Sequence, residues 1–287
     1  MKKYKIITPT DTNYPMALKT IENIPRQLYV MGDDKILNDT CFSIIGSRTC
    51  TERGKKVAEE MAKKLCEYNV CIVSGLALGI DTAAHRGALL AGGKTIAILG
   101  SGFEHIYPER NISLAENILK NGGALVTEYP PEEPVKSMHF PKRNRIVSGL
   151  SIGTLVVEAH YRSGTSITAK LAAKQGRKVF AIPSGIGEKY GVITNELIKK
   201  GAILTRNIED IIKEYDFLQK IERKKESELT VPQEYKEIYD ILSTKEMQIE
   251  EIRKRTKKDA KEINYLLTMM ELEGYIKQLP GKFYTRR

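Results

Sequence analysis

No stretch of the 287-residue sequence approaches the ~18 continuous apolar residues of a membrane-spanning helix. Residues 1–9 include lysines but no apolar region long enough for a signal peptide, so the expected location is cytoplasmic, with no membrane partner. The four cysteines, Cys41, Cys50, Cys66 and Cys71, show no C-x-x-C spacing, and the four histidines, His85, His105, His139 and His160, form no H-x-x-x-H pair. That pattern predicts free thiols in a reducing compartment, with no metal site and no cofactor. Internal repeats and low-complexity tracts are also missing. Acids are scarce relative to bases, 36 against 46, which leaves +10 and favours an anionic partner.

What the sequence does contain is an ordinary globular composition, 41% hydrophobic and 29% charged. Short apolar runs at 42–45, 70–73, 95–99, 124–127, 154–157, 179–182 and 202–204 alternate with amphipathic segments such as 52–68. Continuously apolar strands separated by helices predict an α/β fold, a doubly wound and mostly parallel Rossmann-like sheet covered on both faces. Residues 1–41, with Pro9, Pro15 and Pro25, read as an irregular lead-in packed on this main domain of 42–218. Residues 219–230 are almost wholly polar and read as a charged linker. Within 231–287, three helical patterns (233–242, 249–256 and 259–274) precede an alternating tail around Pro280-Gly281, which predicts a small winged-helix-like domain.

Parallel sheets place ligands at the carboxyl ends of their strands, where loops feed helix N-termini. The loops there are rich in small residues: Gly46-Ser47-Arg48 after the first strand, the Ser74 to Asp81 run after the second, and Gly100-Ser101-Gly102 after the third. After the fifth, Ser163, Gly164, Thr165 and Ser166 open a helix and suit a phosphate. Any one such loop serves equally well as a plain tight turn; four along one edge predict a phosphate-binding surface. Two motif matches fail on context. The run Ala88 to Thr95 fits a relaxed P-loop pattern but ends a helix instead of opening one, and Gly100-x-Gly102 lacks the third glycine of a dinucleotide fingerprint. Asp81 and His85 stand one helical turn apart, which suits a helix cap and a packed ring. Glu158 is the strongest lone carboxylate, but no nucleophile–base–orienter set accompanies it, and no enzyme is predicted.

The strongest constellation is basic. Between Lys136 and Lys178 stand nine Lys or Arg against the single acid Glu158, a net +8 in 43 residues. Lys136, Lys142, Arg143, Arg145 and Lys170 are the candidate phosphate contacts, Asn144 a polar partner, and Phe140 either a base-stacking ring or a core ring. Arg177-Lys178 reads as a solvated face. Ile146-Val147-Ser148-Gly149-Leu150 directly follows the cluster and anchors it to the core.

These motifs resemble the DNA-processing protein A family. The matching runs are Ile45-Gly46-Ser47-Arg48, the stretch from Ser74 to His85, Ile106-Tyr107-Pro108, and Phe140-Pro141-Lys142-Arg143-Asn144-Arg145-Ile146. Leu155-Val156-Val157-Glu158-Ala159, Ser163 to Ala169, and Val179-Phe180-Ala181-Ile182-Pro183 follow in the family's order over about residues 10–216. Leu78 stands where many members carry a basic residue. The resemblance implies a homodimeric single-stranded DNA-binding recombination mediator that protects incoming strands and loads the RecA recombinase during natural transformation (competence). It places the strand on Ser47, Arg48, Phe140, Arg143, Asn144, Arg145 and the Ser163–Ser166 loop. The alternative is a Rossmann-type, phosphoribohydrolase-like hydrolase using Glu158.

Overall fold

The computed structural model describes residues 3–160, 164–221, 232–242, 246–256, 258–272 and 275–286. The chain divides into two compact units, Met1–Lys224 and Lys225–Arg287, and the division falls inside the polar segment 219–230. Most of that segment, and Arg162 and Ser163, lie outside the described residues.

The first unit is a nine-stranded sheet. Its strands are β1 (Lys5–Ile7), β2 (Leu28–Gly32), β3 (Cys41–Ile45), β4 (Cys71–Ser74), β5 (Thr95–Ile98), β6 (Ala124–Thr127), β7 (Gly153–Val156), β8 (Lys178–Ala181) and β9 (Ile203–Leu204). They are ordered β1-β2-β6-β5-β4-β3-β7-β8-β9. From β6 to β9 all neighbours are parallel, and β3 to β7 are buried along their whole length, as strands covered on both faces must be. The predicted apolar runs are these seven strands to within a residue or so at each end.

The lead-in is the correction. Residues 1–41 are not irregular: β2 pairs antiparallel with β6, Val30 opposite Val126, and β1 pairs antiparallel with β2 at the edge of the sheet. Short 3₁₀ turns at Met16–Thr20 and Asp34–Asn38 occupy the rest, and fully buried Tyr14 donates its hydroxyl to the Pro25 carbonyl at 2.9 Å. These strands are short, and β2 is held by β6, which lies far along the chain, so no local periodicity announces them.

Helices cover both faces: α1 (Glu52–Glu67), α2 (Ile80–Leu90), α3 (Ile112–Lys120), α4 (His139–Gly149), α5 (Gly164–Lys174), α6 (Val192–Lys199), α7 (Glu209–Ile212) and α8 (Asp216–Gln219). Met61, Leu65, Ile80 and Ala84 fill one side of the sheet with Ile44 and Leu155; Ile146, Val147, Leu150 and Ala169 fill the other with Ile45 and Val156. After β3 the chain winds outward through β4, β5 and β6, then returns to the far side of β3 as β7. The β3–β7 boundary is therefore the topological switch point, where an open α/β sheet leaves its ligand crevice.

The second unit has its own core, with Tyr235, Ile238, Ile252, Ile263, Leu266, Met270 and Tyr284 among its buried residues. Helices α9 (Gln233–Ile241), α10 (Ile249–Thr256) and α11 (Ala260–Leu272) pack with strands β10 (Met247–Gln248), β11 (Ile276–Leu279) and β12 (Phe283–Arg286), ordered β10-β12-β11. Three helices closed by a small antiparallel sheet make the winged helix read from the sequence.

Candidate nucleic-acid interface

The loops after β3, β4 and β7 are laced together at the switch point. Ser47 N–H donates to the Glu158 carbonyl at 2.7 Å, and Ile80 N–H donates back to the Ser47 carbonyl at 3.3 Å. Gly46 sits where a side chain would come within 2.8 Å of the Glu158 carbonyl, and Gly79, at φ +81°, starts α2 directly beneath the Ser47–Arg48 backbone. Only glycine suits that backbone conformation without strain. The Ser47 side chain is buried, and its hydroxyl is spent within the loop, bonded to Thr49 N–H at 3.2 Å and to the Thr49 carbonyl at 3.0 Å. As a direct phosphate ligand Ser47 is thus corrected to a residue that shapes the turn carrying Arg48.

Arg48 points outward. Its guanidinium carbon lies 5.4 Å from the centroid of the Phe140 ring, and the side chain is exposed. Phe140 is half-buried: one edge rests on Gly100, where an added Cβ would lie 2.8 Å from the ring. Tyr107, 46% exposed, lies with its ring 5.8 Å from that of Phe140. The two readings of Phe140 merge, since an anchored ring with one free side is what a stacking platform requires. In the sequence only its place in Ile106-Tyr107-Pro108 signals Tyr107. Leu78 is also exposed, on the loop that leads into α2.

The basic run does not behave as a unit, because it lies on α4 and successive side chains diverge by about 100°. Lys142 is exposed with no ion pair among the described residues, as is Lys170 on α5. Lys136 is exposed and bonded to Glu133 at 2.6 Å. Asn144 reaches toward α5, its amide 3.4 Å from the Gly164 carbonyl. In α5's first turn Thr165 is buried, and the Ser166 hydroxyl is buried without a partner among the described residues.

Arg143 and Arg145 require correction as phosphate contacts. Arg143 is 4% exposed and turns inward, donating to the Gly75 carbonyl at 2.7 Å and to the Ile98 carbonyl. Gly75 N–H donates in turn to Asp81 Oδ2 at 3.0 Å, so the buried cation and the buried carboxylate converge on one glycine. Burial outweighs their attraction: it pushes the Asp81 carboxyl up and the Arg143 guanidinium down to about 10. Asp81 is therefore a staple for the β4–α2 turn and not the helix cap that its position suggested. His85 beside it is fully buried, shares a 2.7 Å bond with Thr95, and is pushed down to about 3 by burial, so its ring is neutral. Arg145 forms a bidentate pair with Glu128, at 2.6 and 2.5 Å, and its Nε donates to the Asn23 carbonyl, fastening α4 to the end of β6 and to the lead-in. Arg177 is likewise tied in, to the carbonyls of Ala17 and Gly149, and is not a solvated cation.

Glu158 is committed as well. Its two carboxylate oxygens accept from the Thr51 hydroxyl at 2.5 Å and the Thr51 N–H at 2.8 Å, at the start of α1. Thr51 is the N-cap of that helix, bonded through its hydroxyl to Gly54 N–H at 2.9 Å. A carboxylate held at a helix start complements the free N–H groups and the positive end of the helix.

A family model described as DNA recombination-mediator protein A matches residues 5–216, and a second, the DprA winged helix domain, matches residues 222–282. Protein Smf of Escherichia coli is 36% identical over 98% of this chain and 77% of its own length. The X-ray structure of DNA processing protein A from Streptococcus pneumoniae superposes with a TM-score of 0.71 at 40% identity, covering 75% of this chain and 76% of that one. DNA processing protein A from Helicobacter pylori, whose structure was described for its single-stranded DNA binding mode, superposes with a TM-score of 0.68 at 32% identity. That alignment covers 77% of this chain and all of the other.

Proposed function

The chain belongs to the DNA recombination-mediator protein A family, and we propose that it is a single-stranded DNA-binding recombination mediator. The observation that carries this reading is the exposed Arg48 guanidinium standing over the anchored Phe140 ring at the sheet's switch point, with Tyr107 alongside. Bases stack on the rings, and Arg48 and Lys142 neutralise phosphates, with Lys170 and the Gly164–Ser166 turn continuing the path along α5. The described binding mode of the Helicobacter pylori relative supports the strand as ligand. The commitment of Glu158 to Thr51 supports a binding function over the hydrolase alternative.

The test is fluorescence anisotropy of the full chain with a labelled single-stranded oligonucleotide. Removing one stacking or phosphate contact at Arg48 (Arg48→Ala) should cost about 1–3 kcal/mol of binding with unchanged unfolding midpoint. Full affinity in Arg48→Ala overturns the reading. The finer reading, resting on the family resemblance, is a cytoplasmic homodimer that hands the strand to the RecA recombinase during natural transformation. It predicts a solution mass twice that of the chain and faster recombinase nucleation on strands already coated by the protein; a monomer with no effect on nucleation contradicts it.

A further inference from the structure

The winged-helix unit carries a second surface with its own chemistry. Helix α11 has two stripes: Ile263, Leu266, Leu267 and Met270 are buried in the unit's core, while Lys261, Asn264, Tyr265 and Thr268 lie exposed on the opposite side. Tyr265 is 63% exposed. The Asn264 amide and the Thr268 hydroxyl are each bonded to a carbonyl of their own helix, at 2.7 and 2.8 Å, bonds that a ligand can exchange at little loss. A helix that docks into a protein groove shows apolar anchors at this spacing; here the anchors are an amine, an amide and a hydroxyl around a single ring.

On α10, Arg253 and Arg255 pair with Glu250 and Glu251, which leaves Lys254; just before α11, Lys258 pairs with Glu262, which leaves Lys261. Lys277 on β11 and Lys282 at the tip of the β11–β12 hairpin, with φ +57°, carry no ion pair among the described residues. The acids Glu234 and Glu237 sit on α9, and its Asp240 pairs with Arg286 of β12 at 3.3 Å. Lys254, Lys261, Lys277 and Lys282 thus lie on α10, α11 and the hairpin; α9 carries one such cation too, Lys236, and near the end of α11 Glu271 accepts from Gln278 N–H at 2.9 Å.

We infer that α11 and the β11–β12 hairpin form a binding face for duplex DNA, distinct from the single-strand platform. The major groove admits one helix, and the first turns of a helix in it meet base edges. Asn264 offers the donor–acceptor pair that matches adenine, the Thr268 methyl suits thymine, and Lys261 reaches guanine or a phosphate. Lys254, Lys277 and Lys282 track the flanking phosphates. This face does not depend on the single-strand reading, since none of its residues belongs to the Arg48–Phe140 platform.

The test uses the full chain, a short labelled duplex of mixed sequence, and excess unlabelled oligo(dT) to occupy the platform. The expected result is duplex binding that survives oligo(dT). The double variant Lys261→Gln/Lys282→Gln should bind duplex on the order of tenfold more weakly, with the slope of log affinity against log salt reduced by about 2. Its far-UV circular dichroism and its affinity for oligo(dT) should match the parent's. Complete displacement of duplex by oligo(dT), or a double variant with the parent's slope and affinity, overturns the inference. Arg48→Ala reads the other site: it weakens oligo(dT) binding and leaves duplex binding unchanged, so failure of either reading is seen separately.

Discussion

Helix α4 and the winged-helix unit invert what a count of charges suggests. The segment from Lys136 to Lys178 holds net +8, yet much of that charge faces the protein: Arg143 is buried, Arg145 is bound to Glu128, and Arg177 is tied to backbone carbonyls. Residues 232–287 hold only net +2, yet they leave Lys254, Lys261, Lys277 and Lys282 unpaired among the described residues. A cation serves a partner only if the helix turns it outward and no acid stands beside it. In α4 the phase of the helix makes that selection; in α10 and α11 the i,i+3 and i,i+4 acids make it.

The largest expected effect breaks the α4 comparison at adjacent residues. Arg143→Met leaves Asp81 buried without its cation and should cost about 3–5 kcal/mol in urea unfolding. Lys142→Met should change stability by less than about 0.5 kcal/mol and weaken single-strand binding instead. Equal stability of the two variants would show that Arg143 is not a buried structural cation. Next in size is Arg145→Ala, which removes a bidentate, charge-assisted pair and the bond to Asn23. A loss of about 1–3 kcal/mol in the same measurement is expected, and an unshifted unfolding midpoint would contradict it.

Tyr107→Ala sharpens the comparison from the exposed side. It should lower single-strand affinity by about 1–3 kcal/mol per base lost from the ring, with stability nearly unchanged. Anisotropy indistinguishable from the parent's would remove Tyr107 from the platform. The smallest effect concerns acid. The ordinary value of the His85 imidazole is 6.5, and burial holds it near 3 in the folded chain. Below pH 6.5 the unfolded chain takes up a proton there that the folded chain refuses, so this contribution is complete above 6.5 and is lost as pH falls toward 3. The urea midpoint should therefore drop between neutral and mildly acidic pH, and drop less in His85→Gln; equal drops would refute the assignment.

Much of this was legible in the sequence. The seven parallel strands announce themselves as short apolar runs, and the small residues after β3, β4 and β7 mark the switch point. The lead-in strands were not legible, because β2 is held by the distant β6, β1 by β2, and only a short 3₁₀ turn lies between them. The inward turn of Arg143 is legible in the period of its helix. It stands three, four and seven residues before Ile146, Val147 and Leu150, which places it on the buried stripe of the same helix. No local pattern shows that Glu128 waits for Arg145, or that Glu158 closes on Thr51; both partners come from distant strands.

The central claim is that a strand stacks on Phe140 at the Arg48 platform. The chain contains no tryptophan, so Phe140→Trp gives a single reporter at that ring. Titrating this variant with a single-stranded oligonucleotide should quench its fluorescence as a base stacks on the indole, with the quench reversed by salt. Strand binding at parental affinity with an unchanged tryptophan signal would place the strand elsewhere on the protein and contradict the account.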